Sequence, residues 1–77
     1  MYNNVETRIL QMLESITLKP VGLDEPLLDS GLVDSISAVD LALQVEAEMG
    51  IEIPAEKIHE YMRTARSLAS YVLASHH

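Results

Sequence analysis

Asp34-Ser35-Ile36-Ser37-Ala38-Val39-Asp40-Leu41-Ala42-Leu43-Gln44-Val45-Glu46-Ala47-Glu48-Met49-Gly50 is the stretch whose reading decides the fold. It reads as one helix over 35–49. Asp34 is its natural N-cap, since a side-chain oxygen there can accept from a backbone N–H of the first turn. Gly50 ends it, because glycine adopts the left-handed conformation common just past a helix. At about 100° per residue, measured from Ile36, Asp40, Gln44, Ser37 and Glu48 fall between about 40° and 120°, a solvated face. Leu41, Val45, Ala38, Met49 and Ala42 fall between about 140° and 240°, a core face. Glu46 interrupts at about 280°, and beyond it Val39, Leu43 and Ile36 lie between about 300° and 360°. A helix apolar on two separated faces must bury both or offer one to a partner. Either the preceding loop folds over the second stripe, or the stripe is a docking surface with Asp40 and Glu46 as its acidic rim.

Outward from this helix, the spacing predicts three more. Val5, Ile9, Leu10, Met12, Leu13 and Ile16 share one arc of a helix over 4–17, with Arg8, Gln11, Glu14 and Ser15 opposite. Asn3 followed by Glu6 has the form of a capping box. Residues 18–33 hold Pro20, Gly22, Pro26 and Gly31 and form a loop. It is long for a connection, and Leu23, Leu27, Leu28, Leu32 and Val33 should pin it to the helices, with one or two helical turns within it. Ile51-Glu52-Ile53 is too short to pair as a strand and reads as an extended link with both isoleucines inward. Pro54 suits the first turn of a short helix, about 55–61. Thr64 caps the last, about 65–75, with Leu68, Ala69 and Val72 inside. The expected fold is all-α: a small four-helix bundle with a long first loop and a short third helix, one domain over 1–77.

The chain has 77 residues. A chain of that size buries about 60–65% of its unfolded surface and has little room for a deep active-site cleft. There is no cysteine, so disulfides and thiolate chemistry are excluded. No apolar run reaches the roughly 18 residues of a membrane span. Met1-Tyr2-Asn3-Asn4 does not have the form of a signal peptide. A cytoplasmic monomer is the expectation, and His76 and His77 carry no weight in it. The net charge is −7. Between Lys19 and Lys57 there is no basic residue, while Asp24, Glu25, Asp29, Asp34, Asp40, Glu46, Glu48, Glu52 and Glu56 all fall there. A field of one sign repels nucleic acid and anionic membranes and attracts basic protein surfaces. Solubility alone also accounts for it.

Asp34-Ser35-Ile36 resembles the Asp-Ser-Leu (or Ile, Met) attachment motif of acyl and peptidyl carrier proteins. The similarity continues through Val39-Asp40-Leu41, Glu46 and Glu48 into Gly50-Ile51-Glu52-Ile53-Pro54, and spans roughly residues 5–74. It implies a carrier, not an enzyme, with 4′-phosphopantetheine transferred from coenzyme A onto Ser35 by a phosphopantetheinyl transferase. It implies that Asp34 helps that enzyme's Mg²⁺ site. It also implies that Ile36, Val39 and Leu43 contact partners, with Asp34, Asp40 and Glu46 meeting their basic residues. Partners would be the transferase, an adenylating or acyl-loading ligase, and downstream enzymes that process the thioester. Independently of the resemblance, a serine in a first helical turn lies among free N–H groups at the positive end of the helix dipole, where a phosphodiester is favoured.

Gly31-Leu32-Val33-Asp34-Ser35 differs from the Gly-Ala-Asp-Ser of fatty-acid carriers and the Gly-Gly-Asp-Ser or Gly-Gly-His-Ser of peptide-synthetase modules. Leu28-Asp29-Ser30-Gly31-Leu32 looks like D-alanyl and other free-standing aminoacyl carriers. Ala47 stands where fatty-acid carriers often have Glu. A specialised, free-standing carrier of an acyl or aminoacyl group is therefore the expectation. An unmodified helical interaction domain is the alternative, with the same bundle and stripe. A hydrolase pairing Ser35 with His59, oriented by Asp34 or Asp29, would need an oxyanion site and a pocket that the sequence does not provide. His59, His76 and His77 lack metal-ligand spacing.

Overall fold

The computed structural model describes residues 3–75; Met1, Tyr2, His76 and His77, and the readings that fall on them, lie outside the described residues. Within that span there are four α-helices: α1 (Asn4–Thr17), α2 (Ser35–Met49), α3 (Ile58–Tyr61) and α4 (Ala65–Ser75). The fold is an all-helical bundle. The Asn3–Glu6 capping box is reciprocal: Glu6 N–H donates to Asn3 Oδ1 at 2.8 Å and Asn3 N–H to Glu6 Oε1 at 3.1 Å. Thr64 and Ser67 close α4 in the same way, at 3.1 and 3.0 Å. Gly50 takes φ 70° past α2, the left-handed geometry that spares a Cβ. At the end of α1 a leucine does this instead: Leu18 has φ 59° and is 86% exposed.

The core is aliphatic. Ile9, Leu10, Met12 and Leu13 of α1, Ala38, Leu41, Ala42 and Val45 of α2, and Leu68, Ala69 and Val72 of α4 are buried. Met49, placed on the core face by the wheel, is only half-buried at the end of α2, as are Val5 and Ile16 at the ends of α1. Ile51 and Ile53 turn inward, and Tyr71 OH donates to Glu52 O at 2.7 Å, which ties this link to α4. Tyr71 also stacks on Tyr61 with ring centroids 4.1 Å apart, bracing α3 against α4.

Two details differ from the sequence expectation. The stretch 55–61 is not one helix but a 3₁₀ turn, Ala55–Lys57, running into a single α-turn. Pro54 has no N–H and Pro54 O accepts from Lys57 N–H at 2.9 Å, so the segment starts with the tighter i→i+3 bond. The long loop holds turns but no helical turn. Its backbone groups are satisfied elsewhere. Arg66 N–H donates to Leu23 O at 2.9 Å and Leu27 N–H to Arg63 O at 3.0 Å. Val21, Leu23, Leu27 and Val33 go into the core, while Leu28 and Leu32 are half-buried. The loop is therefore packed against the α3–α4 junction, away from the second stripe of α2.

Candidate functional site

Ser35 is the first residue of α2 and is exposed. Asp34 precedes it in extended conformation, φ −90° and ψ −179°, and its Oδ1 accepts from Ser37 N–H at 2.7 Å. That backbone hydrogen bond is the main reason the Asp34 carboxyl is held below the usual carboxylate range. Asp34 is thus ionised at neutral pH, beside the hydroxyl of Ser35. The first amides of α2 have no acceptor within the helix, and the dipole is positive at this end.

The second stripe is open. Ile36 is 75% exposed, Leu43 58% and Val39 48%. The covering-loop reading therefore fails: the stripe stays exposed while Leu23 and Leu27 of the loop go into the core. Asp40 and Glu46 are exposed on either flank. Val39, Leu43 and Glu46 also line a groove of about 460 Å³, walled opposite by Glu52, Ile53, Pro54 and Glu56. This second wall was missed in the sequence. The signal was the continued absence of basic residues through Glu52 and Glu56, but nothing local shows that 52–58 runs alongside α2. His59 lies elsewhere, in a cleft with Leu28, Asp29 and Arg63, not with Ser35.

The acidic stretch is not without counter-charge, as its sequence suggests. Asp24 Oδ1 and Oδ2 accept from Arg66 at 2.7 and 3.1 Å, and Glu48 meets Arg8 at 3.1 Å. Both arginines come from outside the stretch and reach it through the fold. Asp40 and Glu46, at the stripe, have no ion-pair partner among the described residues. The described residues hold no cluster of groups fit for a metal ion, and none of their helices is long and apolar enough to cross a membrane.

A small helical bundle with an accessible serine at a helix start, next to an uncovered apolar stripe, has the architecture of a carrier domain. Comparison with known proteins agrees. Residues 7–72 match the family described as "Phosphopantetheine attachment site". D-alanyl carrier protein 2 of Lactiplantibacillus plantarum is 32% identical over 74 residues, covering 94% of this chain and 89% of that protein. The D-alanyl carrier protein of Streptococcus suis is 30% identical over 77 residues, covering 96% and 98%. The chain belongs to the phosphopantetheine-binding carrier family. It is a carrier and not an enzyme, and its prosthetic group is 4′-phosphopantetheine. The residues present fit that group: an exposed hydroxyl for the phosphoester, at the positive end of the helix dipole that favours its charge. Once attached, the group supplies a thiol that forms thioesters.

Proposed function

We propose that Ser35 is the attachment residue and that the protein presents an acyl or aminoacyl thioester to partner enzymes. The observation that carries this is the exposed Ser35 hydroxyl at the start of α2, between capped Asp34 and the open stripe of Ile36, Val39 and Leu43. Ser35 Oγ attacks a phosphorus of the pyrophosphate of coenzyme A. The bond to the adenosine bisphosphate half breaks, and the hydroxyl proton passes to a base of the transferase. Asp34, ionised at neutral pH, would help to hold the Mg²⁺ that accompanies this reaction in the transferase. The stripe docks the transferase and later enzymes through apolar contact, with Asp40 and Glu46 facing their basic residues.

For cargo, the D-alanyl carriers among its relatives favour a small aminoacyl group, loaded by an adenylating ligase and used in a specialised pathway. The chain works as one carrier domain over 1–77, as a monomer, in the cytoplasm where coenzyme A is at hand. The test is modification itself. The protein and its Ser35→Ala variant are incubated with coenzyme A, Mg²⁺ and a broad-specificity transferase and their intact masses read. Wild type should gain one phosphopantetheinyl increment and the variant none. A folded wild type that gains nothing sinks the reading and leaves an unmodified interaction domain.

A further inference from the structure

Ser35 sits on the surface, yet the backbone leading to it is anchored on both sides. Behind it, Val33 is 1% exposed, and its N–H donates to Leu27 O at 3.0 Å. Leu27 is fully buried and its own N–H donates to Arg63 O at 3.0 Å. The five residues 28–32 therefore form a small closed loop whose base, Leu27 and Val33, is seated in the core and tied to the α3–α4 junction. Within the loop, Gly31 takes φ 77° and its N–H donates to Leu28 O at 3.1 Å, while Leu32 N–H meets Ser30 Oγ at 3.3 Å. Ahead of Ser35, Ala38 is fully buried and its N–H donates to Asp34 O at 2.9 Å. Between these anchors lie the exposed residues Asp34, Ser35 and Ile36.

We propose that Val33 and Leu27 are positioning residues for the modification of Ser35: they fix the direction in which its hydroxyl is presented, while the α2 stripe supplies affinity for the transferase. This rests on the attachment reading above. Transfer needs Ser35 Oγ in line with the phosphorus–oxygen bond that breaks in coenzyme A, and a misplacement of about 1 Å can slow such a step by about a hundredfold. A bulky β-branched residue two positions before the serine holds that geometry, because its side chain has one seat in a close-packed core. The ladder Arg63–Leu27–Val33 adds a second constraint. Removing the Val33 side chain loosens the serine without touching the docking stripe.

The division of labour predicts a split in transferase kinetics with apo protein as the varied substrate. Val33→Ala should lower kcat about tenfold or more while KM stays within about twofold. Val33→Ile should restore kcat. Val72→Ala, which truncates an equally buried valine on α4, controls for loss of core packing and should leave both constants unchanged. Gly31→Ala gives a variant that leaves the core intact: its Cβ meets open space, so the substitution strains only the left-handed backbone of the closed loop. It should also lower kcat. The proposal is overturned if Val33→Ala behaves like Val72→Ala, if it raises KM alone, or if a folded Gly31→Ala keeps full kcat. Wild type that is never modified would instead defeat the attachment reading on which it rests.

Discussion

Asp34 caps α2 and is proposed to serve the modification of Ser35, and two substitutions separate these roles. Its Oδ1 closes the first turn of α2 through Ser37 N–H, and its negative charge lies next to the hydroxyl of Ser35, the proposed attachment site. Asn caps a helix about as well as Asp, whereas Ala does not cap at all. Asp34→Ala should therefore lower the urea midpoint, and Asp34→Asn should lower it much less. If the charge serves the Mg²⁺ site, both variants should be modified slowly at saturating carrier. An Asp34→Asn variant modified at the wild-type rate would reduce Asp34 to a cap. This residue was legible in sequence because capping is local: Asp34, Ser35 and Ser37 are neighbours. Leu18 was not. Nothing in its side chain announces a left-handed φ of 59°, and a glycine would have been the readable signal.

At the scale of elements, α2 carries the open apolar stripe and the long loop is packed against the α3–α4 junction. The two stripes of α2 follow from residue spacing alone, since 3.6 residues per turn sorts them. Which stripe stays open did not follow, because that depends on where the loop goes. The loop was readable as a loop from its prolines and glycines, and as a pinned one from its leucines. Its partners, Arg63 O and Arg66 N–H, lie some forty positions away and bond through the backbone, which leaves no side-chain signature. The wall of the groove at 52–58 was hidden for the same reason. The exposure of Leu43 now makes a firm expectation: Leu43→Asp should keep the helical circular dichroism and thermal midpoint of wild type. Its KM with a transferase or loading enzyme should rise, since an apolar contact is replaced by a charge beside Glu46. A variant that unfolds would mean that Leu43 supports the core after all.

Over the whole molecule the charges divide into those the fold pairs and those it leaves free. Arg66 pairs with Asp24 and Arg8 with Glu48, and Asp40 and Glu46, which have no ion-pair partner among the described residues, flank the stripe. On the proposed docking role, a negative field there would steer basic partners, and salt would weaken it. The paired groups also set how the protein responds to acid. Asp24 is held below the usual carboxylate range chiefly by its hydrogen bond to Arg66, and Asp34 by its bond to Ser37 N–H. In the unfolded chain both titrate near about 4. Both therefore stabilise the fold fully above that pH, and their contribution disappears as pH falls through the lower folded values, because the unfolded state binds the proton first. Asp24→Asn and Asp34→Ala should each differ from wild type in urea midpoint at neutral pH, and each difference should shrink in acid. Salt should tell the two apart. The Asp24–Arg66 pair is more than half exposed on both sides, so its difference should fall in 1 M salt, where screening acts within about 3 Å. The Asp34 cap is a short bond to a backbone amide, and its difference should largely survive. A cap difference that salt removes as readily as the ion pair would show that Asp34 acts through its charge in the general field and not through the bond to Ser37.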